Sequence, residues 1–284
     1  MLFLLFATCS SALVTIALRT FQSTSANRFG ILLGNYLVCV LISFLSLPDR
    51  SIVFRGLPVT LICGIIGGIL FVLALVAMQT SIRLNGATLT AVFTKLGLVV
   101  SLAVSIIAFG ERPGILQILG VLLALAALIL INGGGAEENN NIRKPHTASL
   151  LLTMFVGGCA SVMAKVFEQV GPRSEDELYY LYLFGTAAVM TFLLAMREGR
   201  KNGTPLRIKE MASGITVGIP NYYSSFLLLK ALVALPAFVV FPVNSIGSLL
   251  LITVADAIFF RERHSGKQKL GILLVVAALI LLNI

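Results

Sequence analysis

FGERPGILQILGVLLALAALILIN occupies residues Phe109–Asn132, and the related stretch FRERHSGKQKLGILLVVAALILLN occupies Phe260–Asn283. The second stretch follows the first by 151 residues, so that Glu262 corresponds to Glu111. Such a long internal match indicates that the chain arose by duplication. Because the repeated unit is apolar and holds an odd number of predicted membrane crossings, the two copies should insert with opposite orientations.

The composition places this chain in a membrane. Of its 284 residues, 58% are hydrophobic and 12% are charged, and the mean hydropathy is +1.00. One soluble core cannot absorb so much apolar surface. The net charge of +9 comes from Lys and Arg residues scattered singly or in pairs between apolar runs, which is typical of membrane-flanking charge. We therefore expect no nucleic-acid partner.

The sequence lacks motifs for metals, cofactors and catalysis. Its cysteines lie in apolar runs without a C-x-x-C pair or an accompanying histidine, so they are expected to be small core residues: Cys9, Cys39, Cys63 and Cys159. No D-x-x-x-D, H-E-x-x-H or P-loop occurs, and the acidic cluster Glu175–Glu177 lies in a predicted loop. We therefore predict no metal site, no cofactor and no catalytic residue.

Ten apolar runs approach the roughly 20 residues that cross a bilayer. They show no strand-like alternation, so the predicted fold is an all-α integral membrane protein with ten transmembrane helices as two inverted five-helix repeats. The N-terminal run lacks a basic n-region and is expected to be a first helix, not a cleaved signal peptide. The predicted spans are Leu2–Leu18, Phe29–Leu47, Leu57–Gln79, Asn85–Phe109, Gly114–Ile131, Thr147–Gln169, Leu178–Met196, Met211–Leu232, Ala237–Phe260 and Lys269–Asn283.

A polar stretch near the middle separates the two repeats. It follows three consecutive glycines and contains AEENNNIRKPH, which predicts a first repeat at residues 1–135, a linker at 136–146 and a second repeat at 147–284. The loops after the odd-numbered spans carry most of the Lys and Arg residues. By the positive-inside rule these loops are cytoplasmic, which would place both termini outside.

The ten-span pattern resembles the EamA-like branch of the drug/metabolite transporter superfamily. A Glu closes the fourth span of each repeat, at Glu111 and Glu262, and a Gly opens each small-residue fifth span, at Gly120 and Gly271. The resemblance covers essentially the whole chain and implies a solute carrier, often an exporter of amino-acid-like or other small metabolites. It also implies a central cavity surrounded by spans three, four, eight and nine.

Three features depart from the family pattern. Family members commonly have a Gly before the motif Glu, as at Gly110, but the second copy has Arg261. Lys95 stands in the fourth span, where apolar residues are usual. Both termini are usually cytoplasmic in the family, whereas the charge bias here indicates the opposite, so the absolute orientation stays open.

Two charged residues fall within predicted spans. Placing Lys95 or Asp256 near the bilayer centre costs on the order of 2.5 to 3.5 kcal/mol, so each should have a partner or a task. Inverted repeats would bring both to a similar depth, where they could form a salt bridge in a cavity. The alternative is that Lys95 snorkels to the interface and that Asp256 simply ends its helix near Arg261.

Several uncharged polar residues also have a plausible central position, either as substrate ligands or as partners of a neighbouring helix. Asn221 and Asn244 closely follow Pro220 and Pro242, and a proline within a membrane helix frees carbonyl groups that can face a cavity. The predicted substrate-binding residues are Lys95, Asp256, Asn221, Tyr222, Asn244, Gln79, Asn35 and Tyr36.

Other polar residues have structural explanations. The stripe Thr90, Thr94, Gly97, Ser101 and Ser105 predicts a helix packing seam. Lys165 should pair with Glu168 along one helix, and Lys230 should snorkel. Glu111 and Glu262 should anchor tight turns and place negative charge at the start of the following helix. In the absence of Trp, an interfacial aromatic belt would have to use Phe together with Tyr179, Tyr180 and Tyr182.

The predicted function is that of a multi-pass secondary transporter in the cell membrane, an exporter that moves a small polar or amphiphilic metabolite by alternating access. The expected partners are this small-molecule substrate and the lipid bilayer. If Asp256 is desolvated its proton affinity rises, which makes it a candidate for proton coupling. The fifth and tenth spans fit either a homodimer or packing within one chain. The alternatives are a flippase for a lipid-linked substrate and a non-transporting membrane scaffold.

Overall fold

The computed structural model describes residues 1–22, 27, 29–133, 146–259 and 266–282. Within these residues the chain forms ten α-helices and no strand, which confirms the predicted all-α class. The helices are α1 Leu2–Gln22, α2 Gly30–Ser46, α3 Pro58–Asn85, α4 Ala87–Phe109, α5 Ile115–Gly133, α6 Thr147–Val170, α7 Asp176–Asn202, α8 Ile208–Ala234, α9 Ala237–Phe259 and α10 Gly266–Leu282. Short 3-10 helices occupy Arg50–Phe54 and Arg173–Glu175.

Five helices in the described part are long and apolar enough to cross a membrane: Pro58–Asn85, Leu89–Phe109, Thr147–Val170, Arg173–Asn202 and Ala237–Ala255. Four apolar helices are shorter: Leu2–Leu18, Gly30–Ser46, Ile115–Ile131 and Gln268–Leu282. The remaining helix, α8, has 27 residues and is about 40 Å long at 1.5 Å per residue, but it contains Pro220, Asn221 and Lys230. The predicted spans all correspond to helices, and α3 and α7 extend several residues beyond the apolar runs.

The chain divides into two compact units that do not follow the sequence halves. Unit 1 consists of Met1, Leu73–Val162 and Ala234–Ile284, and unit 2 consists of Leu2–Val72 and Met163–Val233. Each unit contains helices from both predicted repeats, and the boundaries between the units fall inside α3 and α6. The predicted linker lies almost entirely outside the described residues, so its boundaries stay a prediction.

In unit 1, α5 and α10 pack on each other with reciprocal contacts. Gly120 of α5 lies against Leu282 of α10, and Gly271 of α10 lies against Ile131 of α5. The two glycines are 151 residues apart in the sequence, and so are the two residues that they contact. The duplicated helices therefore run antiparallel and exchange equivalent contacts, as inverted copies must. Their small-residue faces pack within one chain.

The small-residue stripe of α4 is a packing seam in unit 1, as predicted. A Cβ placed on Gly97 would lie 3.0 Å from the carbonyl oxygen of Met154 in α6. Ser101 donates a hydrogen bond to the carbonyl oxygen of Gly158, also in α6, at 3.3 Å. Small residues permit this close approach of two helix backbones.

Glu111 caps a different helix from the predicted one. Its carboxylate accepts hydrogen bonds from the backbone N–H groups of Ala237 at 2.9 Å and Phe238 at 3.1 Å, and from the hydroxyl of Ser105. These N–H groups belong to the first turn of α9, where they have no partner within the helix and where the helix dipole favours an anion. The expectation that Glu111 serves the following helix, α5, is therefore wrong. Glu262 lies outside the described residues.

In unit 2, a pair of glycines brings α3 against α7. A Cβ placed on Gly64 would lie 3.1 Å from the carbonyl oxygen of Tyr179 and 3.3 Å from the amide nitrogen of Leu183. One placed on Gly68 would lie 2.5 Å from the carbonyl oxygen of Leu183. Contacts of this kind, backbone to backbone, leave no room for a side chain at either glycine.

A second pair of glycines brings α8 against α2 in the same way. A Cβ on Gly214 would lie 2.6 Å from the carbonyl oxygen of Ile31 and 2.5 Å from the amide nitrogen of Asn35. One on Gly218 would lie 2.8 Å from the carbonyl oxygen of Asn35. Gly214 and Gly218 follow Gly64 and Gly68 of α3 by 150 residues. The residues that they contact in α2, Ile31 and Asn35, precede Tyr179 and Leu183 of α7 by 148 residues. The duplication thus extends to α2, α3, α7 and α8.

Equivalent residues of α2 and α7 meet each other directly. Tyr36 and Phe184 are 148 residues apart, and their rings stack with centroids separated by 6.3 Å. A residue can contact its own copy only where the pseudo-two-fold axis passes between them. Since such an axis lies in the membrane plane when repeats are inverted, Tyr36 and Phe184 mark the midplane depth of unit 2.

We expect Gly214→Ala to destabilise the protein by about 1–3 kcal/mol, because the added methyl group meets backbone atoms of α2 that cannot move aside. Gly185→Ala in α7 is the matched control, since a Cβ there meets no atom within 4 Å and alanine is the better helix former. Thermal unfolding in detergent measures both variants. Equal melting temperatures would contradict the glycine-mediated packing.

Candidate functional site

The predicted site residues divide between the two units. Unit 2 contains Asn35 and Tyr36 in α2 and Asn221 and Tyr222 in α8. Unit 1 contains the other four: Gln79 in α3, Lys95 in α4, and Asn244 and Asp256 in α9.

In unit 2 the two asparagines form a polar pair across the contact between α2 and α8. The Nδ2 group of Asn221 donates to Oδ1 of Asn35 at 3.1 Å, and the thiol of Cys39 donates to the carbonyl oxygen of Gly218 at 3.3 Å. Asn35 is only 3% exposed, whereas Asn221 is half-buried. The glycines of α8 make this contact possible, because they let the two backbones approach closely.

One polar atom of this pair is available to a ligand. The Nδ2 group of Asn221 is engaged by Asn35 and lies 3.8 Å from Sγ of Cys39, but no described residue hydrogen-bonds to its Oδ1. Because Asn221 is half-buried, this oxygen can accept a hydrogen bond from an approaching molecule.

The residues that directly follow the two asparagines in the sequence, Tyr36 and Tyr222, belong to an aromatic cluster. Tyr36 packs against Phe71 and Phe184, with ring centroids 6.4 and 6.3 Å away. Tyr222 stacks on Phe226 at 5.7 Å. Tyr36 and Tyr222, the sequence neighbours of Asn35 and Asn221, are 3% and 2% exposed.

Two tyrosines assigned to an interfacial belt belong to this buried cluster. Tyr179 and Tyr180 are 1% and 2% exposed, and the hydroxyl of Tyr180 donates to the carbonyl oxygen of Ser225 at 2.6 Å. The belt prediction is therefore wrong for both. Sequence reasoning missed them because a tyrosine near a span end has the same sequence context whether it faces lipid or protein.

The two repeats differ in chemistry at the position of the polar pair. In α7 the residue equivalent to Asn35 is Leu183, which follows it by 148 residues. In α3 the residue equivalent to Asn221 is Phe71, which precedes it by 150 residues. The second copy of this contact is thus apolar, although the glycines beside it make equivalent backbone contacts. Close packing of the helices does not itself require the two amides.

The four predicted residues of unit 1 have varied surroundings. Gln79 is buried, and its Nε2 has no hydrogen-bond partner among the residues described. Lys95 is half-buried and forms no ion pair with any carboxylate whose position is described. Asn244 is half-buried. The backbone of Asp256 lies in α9, but its side chain is outside the described residues, so its salt bridge with Lys95 stays a prediction.

Two predictions about charged pairs have opposite outcomes. Lys165 pairs with Glu168 at 2.9 Å along α6, as expected. Lys230, predicted to snorkel without a partner, has one: its Nζ lies 2.6 Å from Oδ2 of Asp176 and 5.0 Å from the ring centroid of Phe226. The sequence placed Asp176 in a loop, whereas it begins α7 and is buried.

Glu175, the neighbour of Asp176, also has a structural role in unit 2. Its carboxylate accepts hydrogen bonds from the backbone N–H of Leu57 and from the hydroxyl of Thr60, at the start of α3. Glu175 and Asp176 are therefore committed to helix ends and ion pairing, and they form no metal cluster in the described part of the chain.

An apolar groove runs between α1 and α8 on the side of unit 2. Its volume is about 660 Å³, and Ser10 and Thr216 are the polar residues of its lining. Beside it, Ser11 and Ser224 share a hydrogen bond of 2.5 Å that joins the two helices. The other lining residues are Phe6, Leu13, Ile16, Ala17, Ile219, Pro220, Tyr223 and Leu227.

We expect Lys230→Met to destabilise the protein by about 2 kcal/mol, because it leaves the buried carboxylate of Asp176 without a counter-charge. The loss should be smaller than for a fully buried pair, since the side chain of Lys230 is 32% exposed. The double variant Lys230→Met with Asp176→Asn should recover most of it. Denaturant unfolding in detergent tests this, and equal losses in the single and double variants would contradict it.

Comparison with known proteins finds a family match in the second half of the chain. Residues 146–284 match the EamA-like transporter family, which is a family of transporters and not of enzymes. Over 291 aligned residues the chain is 21% identical to an uncharacterized protein of Haemophilus influenzae, with 97% of this chain and 95% of that protein covered. A solved crystal structure has the same fold, with a TM-score of 0.74 at 15% identity, covering 99% of this chain and 94% of that one.

The match agrees with the fold described above. The helices of the described residues, five of them long and apolar enough to cross a membrane, fit the fold expected of an EamA-like membrane protein. Repeat-related contacts tie the first half of the chain to the second. The resemblance drawn from the sequence agrees with this comparison, in which residues 146–284 match the model of the EamA-like transporter family.

Proposed function

We propose that this protein is a secondary transporter of the cell membrane that exports a small polar or amphiphilic metabolite, such as an amino-acid-like compound, by alternating access. The observation that carries the proposal is the pair Asn35–Asn221, a hydrogen-bonded pair of amides next to the pseudo-two-fold axis of unit 2.

The depth of the pair is the first argument. Asn35 directly precedes Tyr36, which stacks on its own repeat copy and therefore lies near the bilayer midplane. Polar groups are costly at that depth and tend to have a task. Interhelical hydrogen bonds in membranes contribute only about 0.6 kcal/mol on average. The corresponding residues of the other repeat, Leu183 and Phe71, are apolar, and glycines bring α3 and α7 equally close there.

The chemistry of the pair supports a substrate with hydrogen-bond donors. Asn35 holds the amide of Asn221 in place, so that Oδ1 of Asn221 accepts from an amine or hydroxyl of the substrate. Primary and secondary amines fit this arrangement better than quaternary ammonium groups, because the latter have no N–H to donate.

Lys95, Asp256, Gln79 and Asn244 form a second set of proposed binding residues, in unit 1. Lys95 provides a half-buried cation for a substrate carboxylate, and Nε2 of Gln79 provides an unused donor. Asp256 is the proposed proton-coupling residue. A cation and an amide donor within unit 1 suit the carboxylate of an amino-acid-like molecule.

Replacing the pair by its own repeat copy tests the proposal. Asn35→Leu with Asn221→Phe should fold normally, because the equivalent Leu183 and Phe71 pack against the same glycine geometry. Flux of an amino-acid-like substrate into liposomes should fall at least about 100-fold, since an apolar surface that replaces substrate hydrogen bonds costs roughly 3 kcal/mol.

Ser43→Ala serves as the matched control. Ser43 is also buried in α2, but its hydroxyl bonds only to the backbone carbonyl of Cys39 within the same helix. Flux should be retained in this variant. Wild-type flux in a well-folded double variant would remove Asn35 and Asn221 from the mechanism.

The lateral groove of unit 2 favours a second candidate, a flippase for a lipid-linked substrate. A groove between α1 and α8 with an apolar lining could hold an acyl or prenyl chain while its head group crosses. A fluorescent-lipid quenching assay in proteoliposomes distinguishes the candidates. Faster lipid exchange than in protein-free liposomes supports flipping, and metabolite flux without lipid exchange supports the transporter.

A further inference from the structure

The last turns of α7 join an exposed apolar surface to a cluster of cations. A depression of about 530 Å³ on this side of unit 2 is lined by Phe192, Leu193, Met196, Arg197, Arg200 and Lys201, which we call the α7 terminal patch. All six side chains are exposed.

The residues of the patch form two parallel rows along the helix. One row consists of Phe192, Met196 and Arg200, and the neighbouring row of Leu193, Arg197 and Lys201, each at a spacing of four residues. In both rows the apolar residues lie toward the middle of α7 and the cations lie toward its C-terminal end. The patch is therefore apolar on one side and positive on the other, over about 12 Å of helix.

The cations of the patch are available to an external anion. Neither Arg197, Arg200 nor Lys201 forms an ion pair within the described ranges of the chain. Glu198, the acidic residue of this turn, is half-buried and already has an interaction elsewhere. The start of α8 adds two exposed cations at the same end of the unit, Arg207 and Lys209.

We propose that the α7 terminal patch is a binding site for one anionic phospholipid. Its phosphate contacts Arg197, Arg200 and Lys201, and the upper part of an acyl chain fills the depression beside Phe192, Leu193 and Met196. Cations at the end of a helix can stabilise its dipole, and cations beside a membrane span can set its orientation. Either role would explain the three cations by themselves. Neither accounts for an apolar hollow directly beside them, whereas a phospholipid has the same order of charge and apolar surface along its length.

Native mass spectrometry of the purified full chain, titrated with phosphatidylglycerol or phosphatidylcholine in a non-ionic detergent, tests the site. The wild type should retain one phosphatidylglycerol in preference to phosphatidylcholine. Arg197→Gln with Arg200→Gln should weaken phosphatidylglycerol binding by about 10-fold or more.

The matched control is Arg55→Gln with Arg173→Gln, which removes the same charge from two exposed arginines near the opposite end of α7. Binding should stay within about 2-fold of the wild type. The proposal would be overturned if both double variants lost phosphatidylglycerol binding equally, or if the wild type retained both lipids equally. Either result would indicate attraction by the overall positive charge and not by a defined site.

A third variant separates a lipid from a free anion. Phe192→Ala with Leu193→Ala keeps all the cations, so it should weaken phosphatidylglycerol binding, and glycerol 3-phosphate should not displace the lipid from the wild type. Displacement by glycerol 3-phosphate together with unchanged binding in this variant would mean a simple anion site and would overturn the lipid assignment.

Discussion

Contact between equivalent residues at the pseudo-two-fold axis is the constraint on which the rest of unit 2 depends. Tyr36 stacks on Phe184, so α2 and α7 meet at the point where each faces its own copy. A change at either residue alters a contact that both repeats share, and both side chains must be large enough to fill the centre of the contact. The glycine pairs of α3 and α8 then bring the outer helices against this central pair. Backbone packing of this kind stabilises a membrane bundle without requiring a hydrophobic driving force between helices.

The sequence predicted the helices and the duplication well where the two copies are still alike. The offset of 151 residues is obvious in α5 and α10, whose facing sides still use the same residue types. In α2 and α7 the offset is 148 residues, and Asn35 and Leu183 share no chemistry, so only the fold reveals that they are copies. Helix ends were missed for a different reason: hydropathy marks the hydrocarbon thickness, whereas α3 continues as a helix to Asn85 beyond it.

Charged residues were predicted less well because their partners are distant in the sequence. Lys230 pairs with Asp176 across 54 positions, and Glu111 caps a helix that begins 126 positions later. Local spacing correctly identified the Lys165–Glu168 pair, which lies within one turn of α6. For the candidate site, proximity to Pro220 pointed to Asn221, but nothing in the sequence indicated that Asn35 would be its partner.

The differences between the repeats are more informative about function than their similarities. Contacts that recur in both copies, such as the glycine seams, are sufficiently explained by folding, because both copies must pack. The pair Asn35–Asn221 has no polar counterpart, although the second copy adopts the same backbone geometry with Leu183 and Phe71. The glycine contacts recur with either chemistry beside them, so close packing alone does not require the amides. Recognition of a polar molecule at the midplane would account for them, since a site in an apolar bundle needs hydrogen-bonding groups that the scaffold itself does not.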